Sequence, residues 1–534
     1  MSSALSKIWA VVAADFLIRF RRASTLAAFV ALCLSAYIFV PDPATGWTLM
    51  AMDGGRRALY NSAAIATGTA CLYSALLSLF GFYIVSNAIG RDVVSRAGAV
   101  IASTRVRNWH YLIGKFVGNL GSLLTLSAGL AASAMIMHLI RGEASLQPWL
   151  YLEYYALLVV PAVVLTSAVA IAFESTSILS GKLGDLVYFF LWTSLSGIVA
   201  LAALNRRPSL LFGLPLATYL DPTGLIIIIR QTTQALGTDH FSIGQTDYDV
   251  HKAPFVFQGL RFAWPEILSR VTSAALPLIL LLFPALYFHR FDPGVLRSGA
   301  RKHGRNWFQA LNRSLKFVVR LADHLISRAT ALRGPSFMAS VSADVWLTAN
   351  LYPLGFLCAG GLALAALFVP AALVSRLILP LQFPILALLL SDFACRESRS
   401  GTAELVFAAP RLRSRFVLWK MAGSLTLIYG LTALPMARVA IEGRIQNLLS
   451  LLLGGAFVAA WATCLAVVSL NPKAFIACSL LLWYLTFSDA GRNPALDFAG
   501  WHGKAGWTIL AAYLAVGTLF LGTAEIAHRF RLRR

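Results

Sequence analysis

Charged residues are scarce in this chain. Asp, Glu, Lys and Arg make up 13% of its 534 residues, about half the share of a soluble domain. Too little polar cover remains for a soluble enzyme of this length, so lipid must replace water as the main solvent. Acids are scarcer than bases, 23 against 45, leaving a net charge of +22. Because those bases lie between apolar runs and not on a soluble face, they read as a membrane orientation code and predict no nucleic-acid partner.

Cysteine is also thin. Cys33, Cys71, Cys358, Cys395, Cys464 and Cys478 lie in or beside apolar runs without CxxC spacing, which argues against a disulfide frame and for small buried hydrophobes. The phosphate-cradling GxxxxGK[ST] loop is missing. Gly-Lys occurs at Gly114-Lys115, Gly181-Lys182 and Gly503-Lys504, never followed by Ser or Thr. The chain therefore carries no ATPase motif. The nine His form no HExxH and no Ser–His–Asp spacing repeats, so no catalytic or metal residue is assigned. Asp239, His240, Asp247, Asp249 and His251 could supply metal ligands, yet a solvated polar loop explains them more simply.

What is present is apolar: 58% hydrophobic residues and a mean hydropathy of +0.71. About twenty apolar residues cross a bilayer as a helix. Twelve candidate runs emerge, at residues 25–40, 64–89, 112–140, 151–173, 186–204, 271–288, 351–369, 377–394, 417–436, 448–470, 474–487 and 508–526. They are continuous and not alternating, which excludes a closed β-barrel. The expected fold class is an all-α polytopic membrane protein with about 12 transmembrane helices. With the N-terminus inside, the inner segments hold 31 of the 45 Lys and Arg, so both termini are expected in the cytoplasm. Residues 4–22 read as an interfacial amphipathic helix, with Trp9 and Phe16 toward lipid and Arg19, Arg21 and Arg22 at the headgroups. No small-residue cleavage site follows the first apolar run, so it reads as a retained anchor.

The two halves of the chain align. At an offset of 305 residues, RDVVSRAGAVIASTRVRNWHYLIGK from Arg91 lies over RESRSGTAELVFAAPRLRSRFVLWK from Arg396. This pairs Arg91 with Arg396, Asp92 with Glu397, Ser95 with Ser400, Tyr111 with Phe416 and Lys115 with Lys420. At an offset of 329, VAADFL from Val12 resembles VSADVWL from Val341 and pairs Asp15 with Asp344. Two parallel six-helix repeats are expected, at residues 1–290 and 336–534, joined by a basic cytoplasmic linker at 291–335. Parallel repeats are a usual way to line a central path. Each repeated inner loop holds an acid, several Arg and an apolar strip, Ala99, Val100 and Ile101 or Leu405, Val406 and Phe407. Such a short amphipathic element could dock a cytoplasmic protein.

At these residues the sequence resembles the permease subunit of type-2 ABC transporters. That family is built of six-span halves, each with an amphipathic elbow helix and a cytoplasmic coupling helix between the second and third spans. The family's coupling pattern is matched by Glu397, Gly401, Thr402, Glu404, Leu405, Ala409, Pro410 and Lys420 in one half. In the other it is matched by Asp92, Gly98, Ser103, Thr104, Gly114 and Lys115. LDPTG, from Leu220 to Gly224, looks like a further short motif of these permeases. Arg105 replaces the turn proline and Trp419 replaces the glycine before Lys420, departures that bear on loop geometry.

The resemblance implies two copies of a separate nucleotide-binding ATPase subunit, with ATP and Mg on that partner and no cofactor in this chain. Docking would fall to Arg91, Asp92, Arg96, Arg105, Arg107 and Lys115 in one loop. In the other it would fall to Arg396, Glu397, Arg399, Glu404, Arg411, Arg413 and Lys420. The resemblance also implies a substrate path along the second and fifth spans of each half, past Tyr73, Phe80, Phe82, Phe190, Trp192 and Phe393. An exported amphipathic, lipidic or peptide-like cargo fits those side chains, and a bacterial inner membrane is the expected location, with membrane lipid as the other partner. The alternative is a major-facilitator-like carrier without ATP, since DVVSRAG echoes that family's loop signature. Proton coupling, however, needs acids or His inside the spans, and these lie only near span ends, at His138, Glu174, Asp185, Asp392 and Glu525.

Overall fold

The computed structural model describes residues 4–21, 23–52, 54–104, 106–176, 179–203, 205, 208–238, 240–288, 337–442, 445–489 and 491–532. Arg22, Arg105, Asp239 and the linker at 291–335 lie outside the described residues. The chain divides into two compact units, Met1–Arg301 and Lys302–Arg534. It is a predominantly helical membrane-embedded protein. Among the described residues, eight helices are long and apolar enough to cross a bilayer: Ser62–Val93, Asn108–Arg141, Pro148–Ser175, Lys182–Ala203, Trp264–Leu286, Phe416–Ile441, Ile445–Ser469 and Trp507–Leu532.

Twelve such helices are not reached, and the reasons are local. Residues 25–40 form a helix bent by 74° from the one before it, and residues 351–369 yield only Pro353–Ala365, bent by 101° from Phe337–Leu351. Pro353 stands at the first helical position after that second break, where its fixed φ starts a helix but cannot continue one. Counting each bent pair as one span raises the number to ten. Of the run at 377–394, residues up to Leu390 belong to the short apolar helix Val374–Leu390, which includes a π turn and Pro384, and the remainder is turn. Residues 474–487 lie in Pro472–Asp489, whose ends carry Lys473 and Asp489.

In the first unit, α1 (Ala4–Phe20) and α2 (Ala23–Phe39) precede α3 (Ser62–Val85), α4 (Ala88–Val94), α5 (Ala97–Ser103) and α6 (Asn108–Arg141). The start of α3 is set by Asn61, whose side chain accepts the Ala64 N–H at 2.8 Å and satisfies an orphan donor of the first turn. Helix α1 lies close against α6 because Gly114 and Gly118 leave room. A Cβ on Gly114 would stand 2.8 Å from Val11, and one on Gly118 3.4 Å from Asp15. This small-xxx-small spacing allows backbones to approach without the help of water. A continuous rod of α7 (Pro148–Tyr154), a π turn and α8 (Val160–Ser175) follows, then α9 (Lys182–Ala203).

At the far end of α3 and α6 the loops build a small antiparallel sheet. β1 (Trp47–Met52) pairs with β2 (Arg56–Arg57) and, across almost two hundred residues of chain, with β5 (Phe241–Asp247), from Trp47 opposite Asp247 to Met52 opposite Phe241 with a shift of register between Thr48 and Met50. A hairpin of β3 (Leu210–Leu211) and β4 (Leu214–Pro215) leads into α10 (Leu216–Leu220) and α11 (Leu225–Leu236). The unit closes with α12 (Trp264–Ala275) and α13 (Leu282–Tyr287).

The second unit opens with the bent pair α14 (Phe337–Leu351) and α15 (Pro353–Ala365), followed by α16 (Leu379–Leu390). Three short helices, α17 (Arg396–Ser400), α18 (Ala403–Phe407) and α19 (Pro410–Ser414), lead to α20 (Phe416–Ile441). Then come α21 (Ile445–Ser469), α22 (Pro472–Asp489) and α23 (Trp507–Leu532). Its far-end loop packs directly on α21: a Cβ on Gly454 would meet the Ala499 backbone at 2.4 Å.

Candidate functional site

The same ionic arrangement occurs once in each unit. In the first, Asp15 of α1 is buried and faces three cations: Arg19 at 3.0 Å, Arg91 at 2.6 Å and Lys115 at 2.9 Å. Lys115 also reaches Asp92 at 2.9 Å, whose other partner is the Tyr111 hydroxyl at 2.7 Å. In the second, Asp344 of α14 meets Lys420 at 2.6 Å and Arg396 at 3.3 Å, and Lys420 also reaches Glu397. In both, a buried Lys near the start of a spanning helix bridges an acid on the first helix of the unit and an acid on the intervening loop.

The cause lies in the sequence. An ammonium in a low-dielectric interior needs more than one anionic acceptor to offset its desolvation, and two carboxylates on separate elements supply them. The arrangement therefore ties three elements together. Arg19 belongs to it as well, one turn after Asp15 on the same face, donating to the Val85 carbonyl at 3.0 Å and to Asn119. It is buried, which corrects its expected place among the headgroups. Trp9 keeps its outward position at 67% exposure.

The expected docking residues thus fall into two groups. Arg91, Asp92, Lys115, Arg396, Glu397 and Lys420 are engaged inside their own unit. Arg96, Arg107, Arg399, Glu404, Arg411 and Arg413 are exposed. The apolar strips divide in the same way. Ile101 packs on the core with Tyr111 and Leu112, and Val406 and Phe407 pack with Phe416 and Trp419. Phe407 sits edge-on to Phe416 with centroids 5.1 Å apart, and His528, stacked on Phe416, donates from Nε2 to the Arg413 carbonyl at 3.0 Å. Val100 and Leu405, which the alignment pairs, are left outside at 67% and 78% exposure. Each loop therefore leaves a large apolar side chain exposed at an aligned position, and the first exposes Val93 as well.

The expected path residues do not share one environment. Tyr73, Phe82 and Phe393 are buried. Phe82 stacks on Tyr188 at 3.8 Å, and Phe393 fills the space beside Gly423, 2.5 Å from where a Cβ would stand. Phe80 and Trp192 are half-buried, the latter donating to Ser78 Oγ at 2.8 Å, while Phe190 is exposed.

LDPTG turns out to be a lock. Asp221 is buried and accepts the backbone N–H of Thr223 at 2.9 Å, Gly224 at 3.1 Å and Ile226 at 2.9 Å, capping α11. Gly224 takes a φ of 74°, which glycine adopts freely. Arg270 of α12, also buried, closes the lock on the Asp221 carbonyl at 2.8 Å and the Thr218 carbonyl at 2.6 Å. Arg270 was not singled out from sequence, although a lone Arg within an apolar run is the signal that could have found it.

Of the polar loop residues, Asp249 accepts from the His251 backbone at 3.0 Å and pairs with Lys252 at 3.4 Å. Among the described residues no three His, Cys, Asp or Glu converge on a point that could hold a metal. No family model, no curated protein and no solved structure matches this chain.

Proposed function

We propose that the chain is the membrane permease subunit of an ATP-binding cassette transporter, made of two fused half-permeases and driven by separate ATPase subunits. The reading rests on the twin Lys-centred arrangements of the two units. Each makes a cytoplasm-facing loop one mechanical piece with the first helix of its unit and with the spanning helix that follows. A force on the loop tip would then be carried into the helices through buried ion pairs whose rupture costs several kcal/mol, and would not be lost in a compliant loop. The tips, Val100 and Leu405, have the form of a docking knob, one desolvated apolar contact ringed by rim charges. The exposed Arg96, Arg107, Arg399, Arg411 and Arg413 would steer an acidic partner surface.

On this reading the cargo is amphipathic, lipidic or peptide-like and moves outward, and the site of ATP and Mg lies on the partner. The carrier alternative finds less to support it. Of the acids nearest the spans, Glu174 accepts backbone N–H groups, Asp392 pairs with Arg396 and Glu525 with Arg529.

The test is a photo-reactive side chain placed at residue 100 or 405 and activated in native membranes. The expected adduct at both positions is the same soluble nucleotide-binding protein, and Leu405→Glu should abolish its recovery while leaving the chain folded. Adducts with lipid alone, or substrate uptake driven by a pH gradient with ATP depleted, would overturn the proposal.

A further inference from the structure

The far-end region of the first unit contains a cleft of about 690 Å³, within the range that holds a small ligand. It lies between α11, the β3–β4 hairpin, the segment at 256–261 and the start of α12. Its floor is Ile227 and Phe257, both buried. The Asp221–Arg270 lock holds α11 and α12 beside it, and Gln231 of α11 clasps the opposite wall, donating to the Arg261 carbonyl and accepting the Arg261 N–H, both at 2.7 Å. The cleft is thus braced on two sides before any ligand arrives.

The polar groups facing it are unusual in being unpaired. Arg230 and Arg261 line the cleft, and no carboxylate among the described residues stands within salt-bridge distance of either. Glu266 lines it too, and its Oε2 is cut off from solvent with no hydrogen-bond partner. The Thr218 hydroxyl is in the same state on a side chain only 1% exposed. Buried polar atoms without partners are rare because each forfeits its hydration. Here two of them lie within the wall of the cleft that carries the two guanidinium groups. The rim is apolar and exposed, with Phe212, Val256 and Trp264 outward, the composition of a surface at headgroup depth.

We propose that this cleft binds a zwitterion carrying a phosphate-type anion and a primary ammonium. The anion lies on Arg230 and Arg261, in the bidentate geometry that guanidinium offers to phosphate. The ammonium donates to the carboxylate of Glu266, which lines the cleft. Such a group comes either from the headgroup of an ethanolamine lipid or from a free phosphorylated amine. The inference is independent of the permease reading, because it concerns equilibrium binding to this chain alone.

The full chain in nanodiscs of phosphatidylcholine is titrated calorimetrically with phosphoethanolamine and, separately, with inorganic phosphate. Phosphoethanolamine should bind the tighter. Arg230→Gln and Arg261→Gln should weaken both by roughly tenfold or more, about 1.4 kcal/mol, while Glu266→Gln should weaken phosphoethanolamine and leave phosphate unchanged. That split is the decisive readout, since a variant that merely loosened the fold would lower both alike. Repeating the titration in nanodiscs containing phosphatidylethanolamine separates the sources: competition identifies the lipid, and unchanged binding identifies the free amine. No heat with either probe, or equal losses for both in Glu266→Gln, would overturn the proposal.

Discussion

The two Lys-centred arrangements share a plan and differ in what holds them. In the first unit Asp15 has three cations around it. The start of the loop is fastened from α8, where the Glu174 carboxylate accepts the backbone N–H of Asn87, of Ala88 at 2.9 Å, of Ile89 at 2.6 Å and of Gly90 at 3.3 Å. In the second unit Thr348 stands where the alignment puts Arg19, and it is Arg396 that donates to it, at 3.0 Å. Asp392 stands where the alignment puts Asn87, bonded by the Tyr352 hydroxyl at 2.7 Å and paired with Arg396 at 3.3 Å. The loop of the first unit is therefore tied to a spanning helix, and that of the second to the bend between α14 and α15. A common Lys fixes the joint, and the neighbouring residues choose the element it is braced against.

The largest expected effect comes from removing that Lys. Lys420 is fully buried between Asp344 and Glu397, so Lys420→Met strands Glu397, leaves Asp344 only Arg396 at 3.3 Å, and should destabilise the second unit by about 3–5 kcal/mol. Lys115→Met should cost less, because Asp15 keeps Arg19 and Arg91 and Asp92 keeps Tyr111. Denaturant titration read by amide exchange in α18 and α5 measures both, and equal losses would break the comparison.

How much of this could be read from the sequence follows from which interactions are local. Apolar runs announce a lipid-solvated chain, and eight of the twelve runs correspond to long apolar helices. Of the other four, two belong to helix pairs bent by 74° and 101°, and two are shortened by a π turn and Pro384 or by terminal charges, since mean apolarity carries no information about chain direction. The alignment paired Asp15 with Asp344 and Lys115 with Lys420, yet it could not show that these pairs face one another within each unit, 100 and 76 residues apart. Charge in a loop reads as solvated until its partner is known. The pairing of β1 with β5, and the closure of α12 on LDPTG, are likewise long-range and leave no periodic trace.

A smaller effect would sharpen the difference in bracing. Glu174→Gln replaces a charged acceptor of four amides by a neutral one and should cost about 1–2 kcal/mol locally. The expected readout is faster amide exchange at residues 87–90 with no change in the second unit. Asp392→Asn should instead loosen the bend at Tyr352 and Pro353. If Glu174→Gln disturbed both units alike, their separate bracing would be wrong.

The smallest effect lies at the far ends, where the units respond to acid in opposite senses. In the first, Arg57 grips Glu143 through two hydrogen bonds, at 2.6 and 2.5 Å, and the Tyr60 N–H adds a third at 2.9 Å. The Arg57 hydrogen bonds hold the Glu143 carboxyl below its usual range. This stabilisation is present above the unfolded value, about 4.3, and is lost as pH falls through the folded one. In the second, burial pushes the Asp497 carboxyl up, against His502 and the amides that bond it. Its Oδ2 accepts from His502 N and Gly503 N at 3.0 Å each. A raised acid penalises the fold while ionised, so the penalty disappears as pH falls from the folded value toward the unfolded one, about 3.9. Acidification should therefore speed proteolysis at residues 54–61 and slow it at 491–506. The change at Glu143 should be worth under about 1 kcal/mol because that carboxylate is partly exposed. Glu143→Gln should remove the first response and leave the second intact, and a shared acid response in the two loops would show that one global transition, and not two local carboxyls, governs them.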